Sequence, residues 1–486
     1  MSGRRAGRIA ATVGATVIST MMVATVSASP AWAIEQPRIN RDAVPPDGTP
    51  GPDGGPNKRN YDCRVAAVLP GTDFNGVNAA VASLNLGEAW RYSRGAGQKV
   101  AVLDTGVRRH PRLPHLQPGG DYVDGGDGLD DCDAHGTLVA GIIGAQPAEG
   151  DSFTGVAPDA EILSIRTESE LYGPVNPRQN NPDDPNTSQT AGDIRLTARA
   201  IVHAANLGAT VINISGVACI SALKPIDQTT LGAALWYAAV VKDVVVVAAA
   251  GNVQGECQQN PLYNASRPSD SRDWGGVVTV SSPSWFAGAS EDGTPSRSGI
   301  PSYVLSVGAL GSDGGPALSA QAGNPMTLAG PWIGVAAIGT NITSLDPNGP
   351  GLVNAQPSKQ GGLDAINGTS FSAPVVAGVA ALVRSRFPNL TAHQVIRRIV
   401  ETAHNPARGD DNLVGAGVVS PVAALTNAVD PGDPLPENAW GKPVAAPVAA
   451  PPPDRRPMYT ALVGLGVAVL VVGGAVGLTK LQRRSS

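Results

Sequence analysis

Three short stretches of this chain carry side chains of the kind that break acyl bonds. In NGTSFSAPVVAGVAALV (367–383), a loop of small residues delivers Ser370 to the start of an apolar helical run. A serine that only capped a helix would need neither Gly368 before it nor so apolar a helix behind it. In DAHGTLVAGIIGA (133–145), His135 sits in a tight turn ahead of a second apolar helix. In KVAVLDTGV (99–107), a short apolar run ends at Asp104. Serine is a weak nucleophile: it needs an adjacent base, and the base needs an acid to orient it. Ser370, His135 and Asp104 supply one of each. The remaining histidines fit less well. His203, His393 and His404 lie within or at the ends of helical patterns, and His110 and His115 lie in a Pro-interrupted loop. Ser370 is not in a GxSxG elbow, and the chain order is Asp, His, Ser, which argues against an α/β-hydrolase.

Such groups act together only if rigid elements hold them. Apolar, β-branched runs recur at AEILSIRT (160–167), ATVINISG (209–216) and DVVVVAAAGN (243–252). They alternate with helix-spaced segments at 191–208 and 230–241. This pattern predicts an α/β fold, with a mostly parallel central sheet and helices on both faces. Ligands of such sheets gather beyond the carboxyl ends of the strands. Asp104, Ser215 and Asn252 fall at those ends. Thr391 and Gln394 predict a capping box at the start of a late helix.

The flanks bear on location. Arg4, Arg5 and Arg8, an apolar stretch and AWA (31–33) read as a signal peptide over 1–33, cut after Ala33. Residues 459–478 carry no charge, and as a helix they span roughly 30 Å, a bilayer's hydrocarbon thickness. A transmembrane helix is expected over 458–479, preceded by a Pro/Ala-rich linker (430–457) and followed by a cytoplasmic tail (480–486) with Lys480, Arg483 and Arg484. Hydrophobic residues make up 42% of the 486, enough for a sizeable core. The net charge of -5, without a dominant basic stretch, argues against nucleic acid as a partner. Residues 34–62 are rich in Pro, Gly and Asp and cannot build a core alone. Cys63, Cys132, Cys219 and Cys257 allow three pairings into two disulfides. Cys63–Cys132 with Cys219–Cys257 is favoured, because the second closes a shorter loop and the first ties the extension to the body. Their spacing suits no zinc site, so no metal is expected. The acid-rich loop 121–135 reads as a solvated face, with calcium as the alternative. The polar insertion 167–193 reads equally as a cleft wall or a mobile loop.

The segments DTGV, HGTLVAG and GTSFSAPVVAG, in that order, resemble the subtilisin-like proteases (subtilases). The resemblance implies a catalytic triad of Asp104, His135 and Ser370. It implies that Asn252 in AAAGN is an oxyanion-hole donor. It also implies that Ser215 and Gly216, in VINISG, pair with an extended substrate, although the following VAC replaces the usual glycines. A narrower resemblance rests on LNLGEAWRYSRGAGQKVAVLDTGV (84–107), the outer cysteines, GPWIGVAAIGTNITSL (330–345), the stalk and the single C-terminal span. Together these resemble the mycosins, membrane-anchored subtilases of type VII secretion systems in actinobacteria. That likeness implies an extension (34–88) wrapped on a catalytic domain (89–429) that needs no cofactor. It implies a single-pass cell-membrane protein with its catalytic domain outside, protein or peptide substrates, and secretion-complex components as partners. Two other readings stay open: a structural subunit of that complex with proteolysis secondary, and a general surface protease.

Overall fold

KVAVLD becomes an inner strand of the main sheet because nearly all of its side chains can be buried, half on each face. Val100 and Val102 point into one apolar layer with Val211, Val245, Val247 and Leu305. Ala101 and Leu103 point into the other with Leu163, Ile165, Ile212 and Val246. Period-two alternation with both faces apolar is the signature of a parallel sheet covered on both sides. The computed structural model describes residues 34–77, 79–177, 181–262, 274–290, 300–319, 323–358, 361–406 and 409–436. Among these, the central sheet comprises β1 (Lys99–Asp104), β2 (Leu116–Asp121), β3 (Glu161–Arg166), β4 (Val211–Ile214), β5 (Val245–Ala249), β6 (Leu305–Leu310) and β7 (Ile333–Ile338). The spatial order is β7-β6-β5-β4-β1-β3-β2, every pairing parallel. The chain runs outward from β1 to one edge and then, from β4, to the other. The switch point of the fold therefore lies beside the end of β1, where Asp104 stands.

Helices α1 (Gly136–Gly144), α4 (Thr369–Arg386) and α5 (Ala392–Glu401) cover the first layer. Helices α2 (Gln189–Asn206) and α3 (Thr229–Trp236) cover the second. Every residue of α1 is buried, and so is all of α4 except Ser370 and the last three residues. Each buried Val, Leu or Ile of these layers contributes roughly 1.5–3 kcal/mol relative to exposure. The expected capping box is present on α5. Thr391 Oγ1 accepts from Gln394 N at 3.3 Å, and Gln394 Oε1 accepts from Thr391 N at 3.0 Å. The edge strand β2, LQPGGD, carries no apolar period and contains Pro118, which only an edge tolerates; its sequence reads as loop.

The extension crosses the body in steps. Ile39 is buried in the second layer. Asp47 binds His203 Nδ1 and Asn206 Nδ2 of α2, both at 2.8 Å. Asn57–Arg59 pairs antiparallel with Tyr172–Pro174 of the polar insertion. The structure joins Cys63 to Cys132 and Cys219 to Cys257. Beyond Cys63, Ala67 exchanges backbone hydrogen bonds with Ala355 at 2.8 and 3.0 Å.

The expected signal peptide, the transmembrane helix, the cytoplasmic tail and most of the linker lie outside the described residues. Among the described residues no helix is long and apolar enough to cross a membrane.

The Cys63–Cys132 bond closes a loop of 69 residues. Replacing both cysteines by serine should lower unfolding free energy by about 2–4 kcal/mol. Denaturant melts of the two forms measure this, and an unchanged midpoint and slope would count against the bond as a fastener.

Candidate active site

Asp104 ends β1 fully buried, and its carboxylate must be answered locally. Oδ1 meets His135 Nδ1 at 2.7 Å and accepts from Thr105 N at 2.8 Å. Oδ2 is buried without a hydrogen-bond partner among the described residues. His135 stands at the N-terminus of α1, and Gly136 lets that turn reach the strand end. A Cβ on Gly136 would lie 3.1 Å from Asp104 Oδ1 and would collide with the Gly106 carbonyl. The His135 ring also rests on Phe371 of α4, with centroids 5.0 Å apart. One helix thus supplies Ser370 and a wall for the imidazole.

Ser370 is the second residue of α4, in the first turn, where backbone N–H groups have no intrahelical acceptor. Asn252, just beyond β5, faces it. Asn252 Oδ1 accepts from Thr369 N at 2.9 Å and from Thr369 Oγ1 at 3.1 Å. With its oxygen held twice, the amide presents Nδ2 toward the serine. Gly368 keeps the space between them open. A Cβ there would stand 3.0 Å from Ser370 Oγ and 3.3 Å from Asn252 Nδ2. Asn252 Nδ2 and Ser370 Oγ therefore border one small void, at the positive end of α4. His135, Asn252, Ser370, Ser215 and Gly216 line one cleft of about 760 Å³. The His135 ring and Ser370 Oγ are not hydrogen-bonded to each other; such contacts are often loose until substrate fills the site.

The structure adds residues that sequence reasoning did not single out. Asp131 is buried between the two loops. It accepts from Thr105 Oγ1 at 2.8 Å, from Thr137 N at 2.9 Å and from Thr137 Oγ1 at 2.7 Å, with His135 N at 3.4 Å. Burial pushes its carboxyl up to about 6, against the pull of those donors. Thr105 Oγ1 in turn accepts from Gly136 N at 2.9 Å, so one network binds the end of β1 to the start of α1. Other acids of that loop are also engaged by protein. Asp121 and Asp130 flank Arg166 at 3.3 and 3.9 Å, and Asp133 holds Ser169 Oγ and Glu170 N. The reading of this loop as a solvated face holds for the exposed Asp124, Asp127 and Asp130 and is corrected for the buried Asp121, Asp131 and Asp133. An acid's sequence neighbours do not reveal a buried donor that arrives from beyond the end of β1.

Glu168 is the second addition. It comes from the polar insertion, whose described part walls the cleft with Ser169, Glu170 and Tyr172. Its carboxylate lies against Gly216, where any side chain would collide with it. Crowding in the cleft and repulsion from Asp104 hold its carboxyl above the usual carboxylate range. For His135 the balance runs the other way. Burial disfavours the imidazolium, but the charge and hydrogen bond of Asp104 outweigh it and raise the ring to about 9.

A buried acid holding a histidine, with a serine and an amide at the mouth of a parallel sheet, is an arrangement suited to acyl transfer. The sequence model of the Subtilase family (peptidase S8) matches residues 95–417, and the chain belongs to that family of serine proteases. Its similarity narrows further to the mycosins. It is 47% identical to Mycosin-1 of Mycolicibacterium smegmatis, over 97% of this chain and 98% of that protein. The solved structure of MycP1, titled a serine protease and an essential component of the type VII (ESX-1) secretion system, is 48% identical. It aligns with a TM-score of 0.74, over 81% of this chain and 100% of that one. A chain in the structure of an intact ESX-5 inner membrane complex is 47% identical. It aligns with a TM-score of 0.75, over 92% of this chain and 100% of that one.

The His135 shift carries a sign. A raised folded pKa contributes stability that is fully present below the unfolded value of 6.5 and is lost as pH rises through about 9. An NMR titration should place the ring above 6.5, and Asp104→Asn should lower it. A wild-type ring titrating at or below 6.5 would show that Asp104 does not govern it.

Proposed function

We propose that Asp104, His135 and Ser370 form the triad of an endopeptidase that cuts extended peptide segments outside the cytoplasm. The observation that carries this reading is the single void bordered by Ser370 Oγ and Asn252 Nδ2, beside a histidine held 2.7 Å from a buried carboxylate. Ser370 Oγ attacks the scissile carbonyl carbon while Nε2 of the neutral His135 ring takes its proton; because Asp104 raises that ring to about 9, the neutral form, and with it the rate, grows as pH rises toward 9. Asp104 fixes the ring and stabilises the imidazolium. The carbonyl oxygen, now negative, receives hydrogen bonds from Asn252 Nδ2 and Ser370 N–H. As the tetrahedral adduct collapses, the C–N bond breaks and the proton passes from His135 to the leaving amine. Water then repeats the sequence on the acyl-enzyme.

The wider setting is part of the proposal. A signal peptide (1–33) exports the chain, and an extension (34–88) lies on a catalytic domain (89–429). A linker (430–457) and a transmembrane helix (458–479) tether it, leaving a short cytoplasmic tail (480–486). Similarity to a chain of the ESX-5 inner membrane complex supports a place among type VII secretion membrane components. The same similarity favours a second role, as a structural subunit of that complex. An inactive variant separates the two: secretion-complex integrity that survives loss of Ser370 belongs to the scaffold and not to the protease.

Ser370→Ala should abolish labelling by a fluorophosphonate probe and cost roughly 10⁶ in kcat, the scale seen in subtilisin, without changing the melt. Asn252→Ala should cost on the order of 10²–10³ in kcat. Gly368→Ala should also lower kcat, because its methyl enters the void. Undiminished labelling of Ser370→Ala would reject the nucleophile, and an unchanged kcat in Asn252→Ala would reject the oxyanion donor.

A further inference from the structure

In an α-helix the carbonyl of residue i accepts from the N–H of residue i+4. For Ser370 that donor would be residue 374, and residue 374 is proline, inside α4. Proline has no N–H to give, and its ring crowds the carbonyl four residues earlier. The Ser370 carbonyl, in the first turn of a buried helix, would otherwise lack its helical donor. Ser215 fills the vacancy: its Oγ donates to the Ser370 carbonyl at 2.9 Å. Ser215 is itself buried just past the end of β4, and its Oγ accepts from Asn213 Nδ2 at 2.9 Å. Asn213 is fully buried within β4, next to β1. The hydrogen bonds run in one direction, from Asn213 to Ser215 to Ser370, so each polarises the next.

We infer that Ser215 is a positioning residue for the nucleophile, its hydroxyl replacing for the Ser370 carbonyl the hydrogen bond that Pro374 withholds. This differs from the role that family likeness implies for Ser215, which is contact with substrate. The side chain is committed inward, to the helix, and only the backbone of Ser215 is left for a substrate strand. The arrangement fastens the first turn of α4 to the sheet at a point independent of the helix's own ladder. Ser370 Oγ and N–H are thus placed by β4, while His135 is placed by β1. Since β1 and β4 are hydrogen-bonded neighbours, nucleophile and base are held in register through adjacent strands. The inference rests on Ser370 being the nucleophile.

The exchange of donors is itself the test. In the full-length chain, Ser215→Ala, Pro374→Ala and the double variant should be compared by kcat, KM, rate of fluorophosphonate labelling and melting. Ser215→Ala should lower kcat and labelling by up to about 10²-fold, the scale of a small misplacement of a reacting group. KM should stay within a few-fold. In the double variant, residue 374 regains an N–H, the helix supplies its own bond to the Ser370 carbonyl, and most of the lost rate should return. That rescue is not expected of a residue that merely packs or merely touches substrate. A loss confined to KM, an unchanged kcat, or a double variant slower than Ser215→Ala would overturn the inference. Should Ser215→Ala fail to fold, the double variant still decides: folded and active supports the exchange, unfolded overturns it. Peptide mapping of the labelled wild type keeps the two levels apart. A label elsewhere than Ser370 removes the nucleophile reading and this inference with it. A label on Ser370 without rescue removes this inference alone.

Discussion

A carboxylate at the end of a strand buried on both faces has no access to bulk water, and its charge must be met by neighbours fixed in place. At Asp104 those neighbours are the His135 ring and the Thr105 N–H. The surrounding architecture follows from that requirement. The loop before α1 must bring an imidazole to the strand, which needs Gly136 and the Asp131 network to hold it. The ring must keep its orientation, and Phe371 of α4 backs it. The charge that organises the loops is also the charge that raises the histidine. Local structure and proton affinity therefore have one origin.

The other half of the site depends on a helix that begins at the right place. Gly368 is small for the void, Thr369 anchors the Asn252 amide, and Pro374 frees the Ser370 carbonyl for a bond from the sheet. None of these acts on a substrate bond. Each removes one degree of freedom from a group that does. The precision needed for acyl transfer is thus spread over residues that look ordinary one at a time.

What the sequence made legible were contacts between near neighbours. The apolar runs at 99–107, 160–167, 209–216 and 243–252 carried β1, β3, β4 and β5 in their periodicity, and Thr391 with Gln394 carried its own cap. Asp104, His135 and Ser370 stood out because each closes or opens an apolar element. What stayed hidden was set by partners far along the chain. Asp131 looks like any acid in a turn until Thr105, just past the end of β1, reaches it. Glu168 looks like a loop residue until Gly216 leaves it room. Ser215 read as a residue of the substrate strand, because nothing near it announces a helix carbonyl 155 positions away. The edge strand β2 escaped for a different reason: at an edge, pairing on one side suffices, and Pro118 and two glycines cost it little.

The ribbon of Asn57–Arg59 with Tyr172–Pro174 borders the cleft, and the chain leaving it is fastened at once by Cys63 to Cys132, shortly before His135. A wall secured in this way has a history as well as a position. The thiols must meet an oxidant before the fastening exists, and a reducing compartment withholds that step. Until then the ribbon is held with hydrogen bonds alone, among them Arg64 N to the Cys132 carbonyl at 2.8 Å and Glu170 N to Asp133 at 2.9 Å. The last covalent fastening of this wall therefore depends on the redox state of its surroundings.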